Sequence, residues 1–234
     1  MARENEVKLI GIVDNIKKDS KNRLCEIQMT VVRRNGRVDN PTVLILPDYY
    51  DMVKNIKEKD YVMIKGFFAT MNKEEKYECP NCHKIIKNVS TVSSIIAIYA
   101  IKLQGVYSLE DFKEVSNCVT LLGPLCRNVK LKELPSGAKN AQYQMAIARK
   151  IRVSLKGDNT TDFPFISSLD GQAEEDYKRM EEGSQCYING GVQTRAITKS
   201  LVCKCGERIN VKQNIMEVCP YSVEYLYNCK FDED

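Results

Sequence analysis

The sequence predicts an all-β chain with short helices, built as two five-stranded barrels in tandem. Three observations lead there: a unit that occurs twice, the same order of strand-like segments in both copies, and closely spaced cysteines at the same place in each. Val7-Lys8-Leu9-Ile10-Gly11-Ile12 aligns with Val119-Thr120-Leu121-Leu122-Gly123-Pro124 at an offset of 112. Ile64-Lys65-Gly66-Phe67-Phe68-Ala69-Thr70 aligns with Ile188-Asn189-Gly190-Gly191-Val192-Gln193-Thr194 at an offset of 124, and Cys79 with Cys203 at the same offset. A repeat of this length fixes the architecture before any single motif is read.

In the first copy, segments rich in Val, Ile and Leu run at about 7–16, 24–33 and 41–46, divided by the charged turn at 17–22 and by Arg34-Asn35-Gly36. Pro47-Asp48 opens a helix, with Tyr49, Met52, Val53 and Ile56 as its apolar stripe. A strand at about 60–71, a polar excursion and a last strand at 91–104 follow. The second copy repeats the order with strands near 117–128, 140–153 and 161–167, an acidic helix near 170–182, and strands near 185–196 and 215–228. Three strands, a helix and two strands is the order of the OB-fold, a small Greek-key barrel; another small α+β sheet is the competing architecture. The predicted units are residues 1–105 with an excursion at 72–90, a linker at 106–115, and residues 116–234 with an excursion at 196–214.

Composition narrows the function classes. Among 234 residues, 43% are hydrophobic and 28% charged, which excludes disorder and collagen. The apolar run at 95–101 is too short for a membrane helix and residues 1–6 lack a signal-peptide core, so the expectation is a cytoplasmic protein. A net charge of +4 does not announce a polyanion partner by itself. The acids concentrate on the 170–182 helix, where six face two bases, as on a solvated surface. In a reducing compartment ten cysteines point to metal binding or burial rather than disulfides.

The second copy carries a further signal. Asn117-Cys118-Val119-Thr120-Leu121-Leu122-Gly123-Pro124-Leu125-Cys126-Arg127 and Ile188-Asn189-Gly190-Gly191-Val192-Gln193-Thr194-Arg195 flank the third strand Asp162-Phe163-Pro164-Phe165-Ile166 and the helix. These segments resemble the first and fourth strands of bacterial single-stranded DNA-binding proteins. The resemblance implies a passive binder acting in DNA replication, repair or mobile-element transfer, and gives weight to Arg127 and Arg195 as contacts. Members of that family often stack bases on Trp and usually lack such cysteine pairs. This chain has no Trp, so stacking falls to Tyr and Phe, and the branch is a divergent one.

Single-stranded nucleic acid is held by a basic groove with aromatic faces. Candidates are Arg149, Lys150 and Arg152 at the end of a second-copy strand, with Tyr143 six residues before Arg149 on a period-two face. Arg33, Arg34 and Arg37 occupy the matching strand end and turn, although such a turn is commonly just a solvated hairpin. Phe67 and Phe68 alternate across the fourth strand, so one faces outward, and Phe68 is taken as that platform; Tyr187, Gln193 and Arg195 are the counterparts in copy two. Core burial is the competing account for each aromatic.

Cys79-Pro80-Asn81-Cys82 and Cys203-Lys204-Cys205 are half-sites for a structural zinc, which wants four ligands. Placed equivalently in the repeat, Cys79, Cys82, Cys203 and Cys205 are expected to share one zinc that fastens the barrels together. Two separate sites recruiting His83 and Cys219, or surface thiols without metal, are the alternatives. The remaining cysteines read as small buried hydrophobes. His83 is the only histidine and no phosphate-cradling glycine loop occurs, so no enzyme is expected. The expected function is sequence-tolerant binding of single-stranded DNA, with a homodimer as a natural arrangement and a zinc-locked monomer equally consistent with these residues. An RNA-binding module, a zinc-stabilised adaptor without nucleic acid, and a metal-dependent nuclease stay open.

Overall fold

The computed structural model describes residues 4–106, 108–149 and 160–230. The first half contains β1 (Glu4–Asp19), β2 (Leu24–Val32), β3 (Val38–Asp39), β4 (Thr42–Ile45), a 3₁₀ helix (Pro47–Val53), β5 (Tyr61–Glu78) and β6 (Ile85–Lys102). A 3₁₀ turn (Glu110–Phe112) leads to the second half: β7 (Asn117–Pro124), β8 (Lys130–Glu133), β9 (Lys139–Gln144), β10 (Ile147–Ala148), β11 (Thr161–Asp162), β12 (Phe165–Leu169), α1 (Asp170–Arg179), β13 (Gln185–Val202) and β14 (Arg208–Tyr227).

Pairing closes each half on itself. In the first, β1 pairs with β2 and β5, β2 with β4, β4 in parallel with β6, and β6 with β5. In the second, β7 pairs with β13, β13 with β14, β14 in parallel with β12, and β12 with β9. A Leu125–Met145 bridge returns β9 to β7. Both rings have the predicted barrel order, and closure pairs the first strand of each barrel on both sides of the ring. Alternation dictates the interior: Cys25, Ile27, Met29 and Val31 of β2 are buried while Glu26, Gln28 and Thr30 face out. Cys25 and Cys186 are buried as expected of strand cysteines, whereas Cys118, Cys126 and Cys229 are only half-buried.

A bulge bends the last hairpin of each barrel at the same place. The register of β5 with β6 skips Ile98, opposite the step from Lys65 to Gly66, and that of β13 with β14 skips Tyr221, opposite the step from Asn189 to Gly190. A Cβ on Gly66 would lie 2.1 Å from the Ile96 carbonyl oxygen, and one on Gly190 2.5 Å from that of Cys219, so neither strand can close there with a larger residue.

Four local expectations are corrected. The helix opened by Pro47 is 3₁₀: Tyr50, Val53 and Ile56 are buried at a spacing of three, which suits three residues per turn, and Tyr49 and Met52 only pack at its flank. Pro164 lacks an N–H and splits the third strand of the second half into β11 and β12. The predicted 140–153 strand ends at Gln144, with β10 beyond it, and charged β8 adds an edge to β9 that periodicity did not mark. The polar excursions are continuous β-ribbons, paired to Glu78↔Ile85 and to Val202↔Arg208.

The barrels join through β1 and β7, antiparallel from Glu4↔Leu122 to Leu9↔Asn117, with Val7 opposite its own counterpart Val119. A pseudo-twofold axis therefore passes between these valines, and the main braces across the seam come in pairs. Asp39 of the first half accepts the Thr194 N–H at 2.7 Å and pairs with Arg33 at 2.6 Å. Asp162 of the second accepts the Thr70 N–H at 2.7 Å and pairs with Arg149 at 2.6 and 2.7 Å. Within the barrels, Asn5 bonds the backbone of Phe68 in both directions and Asn117 does the same to Val192.

Helix α1 is fastened through Asp176, whose buried carboxylate accepts from Tyr143, Ser168, Gln172 and Tyr225. Removing one partner of a buried ion pair is far costlier than its net worth. Asp162→Ala takes the carboxylate from Arg149 and the acceptor from Thr70, and should lower unfolding free energy by about 3–5 kcal/mol, read as a lower urea midpoint with the slope unchanged.

Candidate nucleic-acid interface

The β5–β6 and β13–β14 ribbons leave their barrels and lie against each other as a paired arm. Lys199 Nζ donates to Asn88 Oδ1 at 2.7 Å and Gln213 Nε2 to Glu75 Oε2 at 2.9 Å, and Leu201 and Val211 are buried. Both tips close on their first cysteine, one turn a residue longer than the other: the N–H of His83 returns to the Cys79 carbonyl and that of Gly206 to the Cys203 carbonyl, each from a residue with positive φ.

This geometry brings four sulfurs together on the pseudo-twofold axis. Cys79 lies 3.6 Å from Cys205 and Cys82 3.6 Å from Cys203, and all four sulfurs fall within 4.8 Å of one another. The N–H of Cys82 does most to lower the Cys79 thiol, bringing it to about 7 against the effect of burial. His83 stays outside, with Nδ1 2.7 Å from Glu78 Oε1, and Cys219 lies on β14 beside Arg33. The independent-knuckle arrangement, which needs those two residues, is not formed.

At the base of the arm is a cleft of about 780 Å³. It is bounded by the outer faces of β2 and β4, by those of β9 and β12, and by both ribbons, so each barrel contributes its second and third strands and its last hairpin. Met71, Ile197, Ile215 and Met216 give it apolar surface, and Phe165 projects into it with 42% of its surface exposed. Its charges nearly cancel. Lys73 pairs with Glu75 at 3.0 Å and Arg195 with Glu217 at 2.9 Å, while Lys17 reaches in to Glu26 at 3.5 Å.

The sequence-predicted contact residues separate into three groups. Phe68 and Tyr143 are core residues, correcting their reading as stacking platforms: Phe68 is fully buried and Tyr143 spends its hydroxyl on Asp176. Phe67, the outward member of its pair, is covered too, against Leu46, Ala69 and Ile96. Arg33 and Arg149 are the buried seam cations, so they brace the barrels instead of facing a strand of nucleic acid. Gln193 bridges Arg33 and Glu217. Arg34, Arg37, Arg127 and Arg195 are exposed, with Arg34 stacked 4.7 Å from the Tyr221 ring centre. Tyr187 is half-buried on the outer face of the sheet. Lys150 and Arg152 lie outside the described residues. Phe165 was missed, although a signal existed: Ile166 must face the core, so its neighbour faces out.

Comparison with known proteins is consistent with this geometry. The model of the Single-strand binding protein family matches residues 116–218. Single-stranded DNA-binding protein 4 of Streptococcus agalactiae is 31% identical over 101 residues, 43% of this chain and 70% of that protein. Single-stranded DNA-binding protein 1 of Staphylococcus aureus is 30% identical over 110 residues, 47% of this chain and 65% of that protein. The crystal structure of the wild-type single-stranded DNA binding protein from Thermus aquaticus is 15% identical, with a TM-score of 0.64 over 100% of this chain and 97% of that one. That likeness shows the fold, across both halves.

Core and cleft aromatics should respond differently to truncation. Phe68→Ala should cost about 3–5 kcal/mol of stability in urea unfolding, whereas Phe165→Ala should stay within about 0.5 kcal/mol of the parent.

Proposed function

We propose that this chain, which belongs to the single-strand binding protein family, binds single-stranded DNA passively, without preference for sequence. The observation that carries this reading is the cleft. OB-folds take oligonucleotides on the face of strands two and three and on the loop between strands four and five, and here those parts of both barrels meet in one place. Phe165 and the apolar floor offer a surface on which any base can lie, each stack contributing roughly 1–3 kcal/mol. With most of its charges paired off, the cleft suits bases better than phosphates. Phosphate neutralisation then falls to Lys212 on the cleft lining and to exposed arginines such as Arg37 and Arg127.

The four cysteines at the arm tip hold one structural zinc in this reading. A tetrahedron of Zn–S bonds of about 2.3 Å has edges near 3.8 Å, close to the observed sulfur pairs. The metal would supply a crosslink between the ribbons and no chemistry on DNA.

A labelled thymine oligonucleotide of about 30 bases should show tight anisotropy binding that weakens by about 0.7 log units per phosphate neutralised for each log unit of salt. Duplex should compete poorly, matching RNA reports the preference between the two nucleic acids, and the oligonucleotide should remain intact with magnesium. Phe165→Ala should weaken binding about tenfold. No binding at low salt overturns the reading.

Metal analysis should find near one zinc per chain, abolished by Cys79→Ser. Near two, or none, overturns the shared site.

A further inference from the structure

A second cavity, of about 490 Å³, opens on the outer face of the sheet beside the β1–β7 seam, away from the residues that line the cleft. Lys8 on β1 and Lys65 on β5 line it, and the register places them directly opposite each other. Like charges facing across adjacent strands destabilise a sheet. Neither lysine has a carboxylate partner among the described residues, although Lys8 is half-buried. Arg149 also reaches the cavity, but Asp162 neutralises it. The lining also carries the carboxylate of Glu6, which is exposed.

The pseudo-twofold supplies an internal control. Lys8 and Lys65 correspond to Thr120 and Asn189, Phe67 to Gly191, and the bulge residue Ile98 to Tyr221. In the second barrel Tyr221 fills the equivalent space: a Cβ on Gly191 would lie 2.3 Å from the Tyr221 hydroxyl oxygen, and Arg34 stacks on the ring. One half of the seam is plugged and neutral at these positions. The other is open beside Ile98, with Phe67 buried beneath, and carries two lysines against the one carboxylate of Glu6.

We propose that this seam cavity is a nucleotide-phosphate site, in which Lys8 and Lys65 hold the phosphate while the sugar or base lies against Ile98. The phosphate comes from a bound single strand or from a free nucleotide; the strand is the source that accords with the proposed function, on which that part of the inference rests. An anion between the lysines would offset the repulsion that the fold otherwise carries.

Cys118 lines the same cavity and sits opposite Lys8, so it can serve as a reporter. The full chain is treated with N-ethylmaleimide and modification of Cys118 is followed by peptide mass spectrometry, with no addition, with the thymine oligonucleotide, or with thymidine monophosphate. Protection by the oligonucleotide at concentrations where the monophosphate has no effect identifies the strand; protection by both at comparable concentrations identifies a free-nucleotide site. Lys65→Gln should abolish the protection, weaken oligonucleotide binding by roughly three- to tenfold and reduce the salt slope by about 0.7. The same variant should raise the urea midpoint, because it relieves the opposed charges; a merely structural lysine would lower it. If the parent binds the oligonucleotide but Cys118 stays reactive and Lys65→Gln keeps the parent slope, the seam site is wrong and the proposed function stands. If the oligonucleotide does not bind at all, protection by the monophosphate decides the site alone, and its absence overturns it.

Discussion

Everything else in the molecule depends on the antiparallel pairing of β1 with β7. Backbone hydrogen bonds that would otherwise leave two exposed strand edges are made within one chain, and the pairing centres on Val7 and Val119. Once that register is set, the geometry of the rest is dictated. The last strands splay symmetrically, their ribbons converge on the axis, and the Arg–Asp pairs fall opposite the backbone amides they need. The chain thus builds internally the self-complementary interface that two identical subunits would build between them.

Much of the fold was legible because duplication and alternation are local signals. The strand order, the closing helix of each barrel and the equivalence of the cysteine pairs all follow from short segments read one at a time. The residues misread were those whose meaning lies across the seam. Arg33 and Arg149 have the sequence context of surface cations, and only the placement of Asp39 and Asp162 beside the opposite barrel's strand makes them buried braces. Tyr143 and Phe68 failed for a different reason. Period two says that alternate residues share a face but not which face is inside, and here the interior claimed both. Asn5 and Asn117 hold equivalent places two residues before the aligned valines, a sequence identity whose role appears only once both are seen to clasp a fourth strand.

The two copies have also diverged along physical lines. The first barrel is sealed below by a 3₁₀ turn fixed by Pro47, the second by a true helix tied to the core through the four donors on Asp176. Burial raises the Asp176 carboxyl above its ordinary range, with the donors pulling against that effect. The acidic helix, expected only as a solvated face, therefore buries one of its acids as an anchor while the rest remain outside. The two openings are likewise divided between copies: Phe165 enters the cleft from the second barrel, and the open seam cavity belongs mainly to the first.

The braces across the seam impose an order on synthesis. The first barrel can close once β6 has left the ribosome, but Asp39 waits for the Thr194 amide, 155 residues further along the chain. Until then Arg33 and Asp39 have only each other, and the β1 edge is unpaired. A nascent chain in this condition displays a strand edge that fits β7 of any copy, its own or a neighbour's. Such an edge is a template for domain swapping between chains, and the β7 of the same chain removes it once made.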